Sequence, residues 1–469
     1  MDSRFSPTRM AYGIGMAAVG VQQNAFNMFL LFFYQQVVGL DAMLCGVALF
    51  IALLIDAVTD PWVGLLSDRT RSAWGRRHPF MLASIVPLTI CFYAVFQPPD
   101  GLGQVTLFLW LLAWVIGTRI AMTLFAIPHL SLLAELAQRP DDRVSLQSLR
   151  VSMAWLFGLI NAIVVFSVLL PPTAAYPSGL GNPDGYFGLA LWGAGVMLIA
   201  TSISTFGTIH ATLHHTRTLE PDPALDLNDA VRAAWANRNY RAAVLGGLAL
   251  TVAVGFHDSL SNYVTTMFWG LSSDQVSVLV VAIMGAALLV LATARPVATR
   301  IGKRSATFLG AALVAVTWPL LLALRLADWL PHGEGLLPVL VVASVVIYYG
   351  MILGMTMVGA MIADVTDEHE LRTGQRQEGL LFSAYTFASK ASSGLGLLVA
   401  GAALRLSGVP KGASGTLDDP NAALRLVFIQ VSIIALLALA TAASVRGFRL
   451  DRNAHQQVRQ ALEERQRRA

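Results

Sequence analysis

Charge is what this sequence has least of. Only 13% of its 469 residues are Asp, Glu, Lys or Arg, about half the usual share of a soluble chain, which excludes a water-facing surface over most of its length. Cysteine is nearly absent. Cys45 and Cys91 both fall in apolar stretches, so neither a disulfide framework nor a thiolate metal site is expected. His210, His214 and His215 have helical spacing, but no cysteine or close carboxylate completes a metal site, and they read as a solvated face. No GKS or GKT follows Gly394 and Gly396, so these are close-packing glycines of a helix, not a phosphate loop. No nucleophile–base constellation points to an enzyme, no cofactor is implied and no nucleic-acid partner is expected. The polar start, MDSRFSPTRM, offers no cleavable leader.

What is present is hydrocarbon. Hydrophobic residues make up 55% of the chain and mean hydropathy is +0.62, which makes this an integral membrane protein embedded in a lipid bilayer. Twelve apolar runs are long enough to span as helices. Six lie at 10–37, 41–67, 79–97, 105–136, 146–171 and 185–208. Six more lie at 241–268, 273–297, 305–326, 336–364, 377–404 and 423–447. The expected organisation is an N-terminal bundle over 1–208, a linker over 209–240, a C-terminal bundle over 241–447 and a basic tail over 448–469. In the linker, Asp226, Asn228, Asp229, Arg232, Trp235 and Arg238 suit an amphipathic helix on the membrane surface.

Positive residues follow alternate runs: Arg69, Arg71, Arg76 and Arg77, then Arg139 and Arg143, then Arg217, Arg232 and Arg238, then Arg300, Lys303 and Arg304, then Arg372 and Arg376. The intervening loops near 38–41, 98–104, 172–184 and 270–274 carry none; Arg405, Lys411 and Arg425 around the last outer loop are the exception. This places both termini in the cytoplasm of a multi-pass protein of the inner membrane.

The most informative stretch is DAVTDPWVGLLSDRTRSAWGRRHPF, Asp56 to Phe80. It joins two carboxylates inside an apolar run to an arginine cluster in a loop. RPVATRIGKR, after the eighth run, is a degenerate echo of its end and suggests that the two halves are repeats. Gly64, Asp68, Arg69, Arg76 and Arg77 resemble the loop signature of the major facilitator superfamily. Read with DEHELRTGQRQEG at Asp367 to Gly379, IPHLSLLAEL, and DDRVSLQSLR, the stretch resembles the glycoside/pentoside/hexuronide:cation symporters, the melibiose permease family, and more distantly the eukaryotic lysophospholipid symporters. That resemblance implies an all-α membrane protein of twelve helices in two pseudo-symmetric six-helix bundles, alternating access and a substrate site between the halves. It makes Gly64, Asp68, Arg69, Arg76 and Arg77 a conformational gate, where a generic basic loop is the plainer reading.

Asp56 and Asp60 are four residues apart and share a helical face, and an ionised carboxylate at membrane depth is functional by default. The resemblance implies that Asp56, Thr59, Asp60 and Thr123 form the coupling-cation site; a structural staple between helices is the alternative. Arg119 departs from the family, which offers a small residue there. Counted from the outer ends it reaches the depth of Asp56, and a fixed positive charge would disfavour bound sodium, leaving a proton, or no coupling ion at all. Arg119 could instead bind an anionic group of the substrate.

The family's sugar-gripping carboxylates are missing as well. Val19 and Gly20 stand at one pair of positions, Ala126 and Leu130 at the other. Arg150 and Lys390 do match the family's charged positions. With Tyr385, and with Gln23 and Asn27 on one face of the first helix, they are the expected substrate contacts. Helix packing and snorkelling are the bland readings of each. His257 and Asp258 could carry protons or lie at the interface, Tyr263 and Trp269 suit an interfacial aromatic belt, and His129 after Pro128 suits packing better than titration. The function expected is symport of a sugar, glycoside or sugar acid coupled to a cation, a proton ahead of sodium, by a monomer. A lysolipid or similar amphipathic substrate is the alternative, and a transport-inactive sensor ranks last.

Overall fold

The computed structural model describes residues 6–136, 140–212, 235–373, 378–412 and 419–468. The expected linker helix over Asp226–Arg232, His214, His215, Arg217, Arg139 and Arg376 lie outside them. So do the side chains of Asp68 and Arg143.

Every regular element among the described residues is helical. The chain opens with α1 (Pro7–Ile14) and α2 (Met16–Asn24), then continues as π-helical turns over Ala25–Leu30 and Phe33–Val38. It goes on as α3 (Ala42–Arg69), α4 (His78–Val95), α5 (Gln104–Leu136), α6 (Pro140–Val164) and α7 (Pro183–Thr212). The second half holds α8 (Arg238–Tyr263), α9 (Ser273–Ile301), α10 (Lys303–Leu326), α11 (Leu336–Thr373), α12 (Glu378–Ser407) and α13 (Pro420–Val445). The tail is α14 (Arg452–Arg468). Eleven helices among the described residues are long and apolar enough to cross a bilayer. Residues 7–38 form a further helical run divided into α and π pieces. In a hydrocarbon medium helix is the fold that satisfies every backbone donor within its own segment.

Local chemistry sets the helix ends. Gly39, at φ 86°, stops the first run, and Asp41 caps α3 by accepting from the N–H groups of Met43 and Leu44 at 3.0 and 3.3 Å. Pro61 sits inside α3 directly after Asp60 and removes the bond that this position would give to the carbonyl of Ala57.

The chain forms two compact units. Unit one comprises Met1–Leu219 with Asp258–Val280 and Leu397–Leu424; unit two comprises Glu220–His257, Val281–Gly396 and Arg425–Ala469. In unit one, the end away from the arginine loop is tied by bonds to backbone carbonyls. Gln35 and Gln36 both donate to Pro410, at 3.1 and 3.0 Å, Asn262 donates to Met28, and Tyr263 Oη donates to Leu31 at 3.2 Å. Tyr263 is fully buried and Trp269 7% exposed, so neither forms the interfacial belt their position suggested. In unit two, α10 and α11 cross at Gly310 and Gly350, where a methyl on either residue would crowd the carbonyl oxygen of the other.

Candidate coupling site and basic gate

The carboxylates of the opening motif meet α5. Thr123 Oγ1 lies 3.0 Å from Asp56 Oδ1 and 2.9 Å from Asp60 Oδ1. Arg119, one turn earlier on α5, brings Nη1 to 3.8 Å from Asp56 Oδ2 and sets its guanidinium 5.3 Å from the ring centroid of Phe26. Asp56 is 5% exposed and Thr123 2%. Two carboxyls, one hydroxyl and one guanidinium therefore meet where α3 faces α5, with Asp56 and Thr123 buried and Asp60 half-buried. Thr59 lies between the two aspartates in sequence, and its hydroxyl donates back to the carbonyl of Asp56 at 3.1 Å, as threonines in helices commonly do, which leaves its lone pairs available.

A threonine hydroxyl has one proton to give. It can donate to one carboxylate at a time, so a single hydroxyl bridges the two carboxyl groups. A fixed guanidinium lies beside Asp56, and a further cation placed there would meet it as a like charge.

At the arginine end, Glu135 is the partner that sequence reading missed. Arg76 Nη2 and Arg77 Nε reach its Oε1 at 3.3 and 3.5 Å, and Arg77 Nη1 donates to Ser67 Oγ at 2.7 Å. The loop between α3 and α4 is thereby clamped to the end of α5. Arg69 is exposed. Gly64 has only ordinary contact with Ile127 across the α3–α5 interface, so packing in this conformation does not demand a glycine there. Glu135 stands in the IPHLSLLAEL phrase, which carries no signal of its partner. Glu135→Gln is expected to loosen the loop by about 1 kcal/mol, roughly a fivefold rise in local opening. The rate of tryptic cleavage after Arg71 measures it.

The other singled-out side chains fall into two groups. Gln23 is exposed and Asn27 half-buried where the first run changes from α to π winding, a deviation that recurs at functional sites. Their neighbour Asn24 accepts from Asn161 of α6 at 2.8 Å and is an interhelical tie. Arg150 on α6 is half-buried in unit one, and Lys390 and Tyr385 on α12 are half-buried in unit two. Thr251 and Ser389, 3.2 Å apart, adjoin Tyr385.

His129 is packed. Its Nε2 donates to the carbonyl of Tyr12 at 2.9 Å, and its ring stacks on Tyr12 with centroids 4.2 Å apart. His257 is buried against Trp318 and Tyr348, with Gln430 Nε2 3.3 Å from its Nδ1, so it does not lie at an interface. The DEHELRTGQRQEG phrase begins as the last turns of α11. There Glu368 Oε2 accepts from Asn237 and Asn239 at 3.1 and 2.9 Å, and Glu368 Oε1 takes Arg372 at 2.6 Å.

Gly20, at one of the missing sugar-binding positions, explains its own lack of a carboxylate. Its Cα rests on the backbone of α6, and a methyl there would overlap the carbonyl oxygen of Ala154. A carboxylate at position 20 would have no room. Gly20→Ala is expected to cost about 1–3 kcal/mol by overpacking this crossing, read as a lower thermal midpoint of the purified protein.

The family model described as MFS/sugar transport protein matches residues 11–452. The glucuronide carrier protein homolog of Escherichia coli (strain K12) is 26% identical over 403 residues, covering 86% of this chain and 84% of its own. The sodium-dependent lysophosphatidylcholine symporter 1-A of Danio rerio is 23% identical over 459 residues, covering 92% and 84%. A solved structure of a bacterial homologue of the human lysosomal transporter Spinster superposes with a TM-score of 0.63 at 13% identity, covering 94% of this chain and 96% of that one. By its helices, by a match along nearly its whole length and by the symporters it resembles, this chain belongs to the MFS/sugar transport protein family and has the all-α membrane fold of the major facilitator transporters.

Proposed function

We propose that this transporter couples the uptake of a sugar, glycoside or sugar acid to protons. The observation that carries the reading is Thr123 Oγ1 within 3.0 Å of both Asp56 and Asp60, with Arg119 beside Asp56. Arg119 takes the place of a metal cation beside Asp56. Asp60 carries the coupling proton, donates it to Thr123 when loaded and releases it to the cytoplasm. Asp60 is half-buried while Asp56 is buried, in keeping with the carboxyl that exchanges its proton.

Gln23, Asn27 and Arg150 in unit one, and Tyr385 and Lys390 in unit two, contact substrate. Guanidinium and ammonium groups suit the carboxylate of a sugar acid, and the glucuronide carrier relative supports that class. The sequence-defined bundles, 1–208 and 241–447, work by alternating access as one monomer, with linker 209–240, tail 448–469 and both termini in the cytoplasm. Gly64, Asp68, Arg69, Arg76 and Arg77 form the conformational gate.

A second reading has specific support: the carrier moves a lysolipid. Gly20 leaves no room for a sugar-gripping carboxylate, and the Danio rerio relative is a lysophosphatidylcholine symporter. Purified protein in proteoliposomes decides between them. An inward proton gradient, acidic outside, is expected to drive accumulation of a labelled glucuronide or glycoside. A protonophore abolishes it, and replacing sodium by choline leaves it intact. Uptake of lysophosphatidylcholine alone would establish the second reading, and accumulation that requires sodium would overturn proton coupling.

A further inference from the structure

Unit two carries a second, unrelated concentration of positive charge. A cavity of about 770 Å³ opens where the end of α9, the start of α10 and the junction of α13 with α14 come together. Arg304, Arg446, Arg449 and Arg452 line it with Lys303, against two aspartates, Asp364 and Asp451. Both aspartates are engaged. Asp364 takes Lys303 Nζ at 2.6 Å on each oxygen, and Asp451 caps α14 by accepting the N–H of Ala454 at 2.9 Å. The lysine is thereby neutralised, and the four exposed arginines outnumber the remaining Asp451 carboxylate, leaving positive charge in excess around the opening. The first turn of α10, beginning at Lys303 after Gly302, adds backbone N–H groups to the same wall.

One side of this cavity is apolar and open. Ile301 is 47% exposed and Phe308 39%, and the guanidinium of Arg446 lies 5.7 Å from the Phe308 ring centroid. Further along the same two helices, α9 and α10, Leu288, Leu291, Val316 and Leu320 are exposed as well. Those surfaces are the ones that face hydrocarbon in a spanning helix. Guanidinium groups at the mouth and bare hydrocarbon at the flank match one ligand chemistry, a phosphate ester on an acyl anchor. A soluble phosphate has no use for the apolar wall.

We propose that this cavity binds the headgroup of an anionic phospholipid, with the phosphate among Arg304, Arg449 and Arg452 and the glycerol and first acyl carbons against Ile301 and Phe308. The site is separate from the coupling site and independent of which solute is carried. The lipid belongs to the leaflet that meets the basic loops, the cytoplasmic one in the topology proposed above. It would hold the tail helix α14 against α10.

The test uses full-length protein in neutral detergent, with dioleoyl phosphatidylglycerol or dioleoyl phosphatidylcholine added at equal mole fraction, and native mass spectrometry to count retained lipid. Retention of the anionic lipid is expected to exceed that of the neutral one by at least about tenfold, given the attraction of each arginine near such a headgroup. Arg304→Gln/Arg449→Gln/Arg452→Gln should abolish the preference. Arg459→Gln/Arg465→Gln, which removes two charges from α14 at positions that do not line the cavity, should keep it. An equal thermal midpoint of the triple variant and parent in lipid-free detergent shows that the fold is intact. Equal retention of the two lipids, or a triple variant that still prefers phosphatidylglycerol, would overturn the proposal. Inorganic phosphate or glycerol phosphate displacing the lipid at equal concentration would assign the cavity to a soluble phosphate instead.

Discussion

Asp56→Asn is expected to abolish concentrative uptake while leaving substrate exchange across a membrane with no gradient. Asp56 sits 3.8 Å from Arg119 and is 5% exposed. Removing its charge leaves a largely buried guanidinium without the carboxylate it faces, and breaking a buried pair from one side costs about 3–5 kcal/mol. The variant should therefore lose stability as well as coupling. Asp60→Asn separates the two effects. If Asp60 carries the proton when the site is loaded, asparagine imitates that state, so accumulation is lost as completely but stability changes little. A third variant, Asp56→Asn/Arg119→Gln, removes both members of the pair and should recover thermal stability without recovering accumulation. Accumulation ratio, counterflow and thermal midpoint, measured on the same three preparations, check the set. Unchanged accumulation in Asp56→Asn would sink the coupling role, and equal destabilisation by both single variants would sink the division of labour between the carboxyls.

Much of this was legible in the chain because hydrophobic runs of spanning length leave the backbone little choice but helix. The shared face of Asp56 and Asp60 and the matching depth of Arg119 were legible too, since i and i+4 share a face and both helices can be measured from their ends, while Thr123 entered through the family resemblance. Partners contributed by other helices were not. Glu135 gives no sequence sign that it will receive Arg76 and Arg77, because the distance between them is set by the α3–α5 crossing and not by spacing. The bond that the Thr59 hydroxyl gives to its own preceding turn is a local choice open to any helical threonine, and sequence spacing alone does not fix it. Tyr263 and Trp269 fitted a belt by composition, yet long-range packing buries them. Gly20 read as a missing carboxylate. In the fold it is a contact, where the backbone of α6 occupies the space a side chain would need.

Arg119→Ala is expected to turn a sodium-indifferent transporter into a sodium-responsive one. The guanidinium stands beside Asp56 Oδ2, and a bound Na⁺ among Asp56, Asp60 and Thr123 would lie within a few ångströms of it. Two like charges that close repel by about 4 kcal/mol at the effective dielectric of a protein, enough to suppress sodium binding by two to three orders of magnitude. Truncation to alanine removes that repulsion and opens room beside two carboxyl groups and a hydroxyl, oxygen donors of the kind a hard cation takes. Substrate affinity should then rise by about tenfold or more between sodium-free and sodium-rich buffer, against no change in the parent. The site should also acquire a pH dependence of opposite use: under the proton coupling proposed above, protons support accumulation in the parent, whereas in Arg119→Ala they compete with sodium for the same carboxylates and weaken its effect as pH falls. Isothermal titration with substrate at two pH values, with and without sodium, reads both. A parent whose affinity depends on sodium, and keeps that dependence unchanged in Arg119→Ala, would show that the guanidinium does not stand in for the ion.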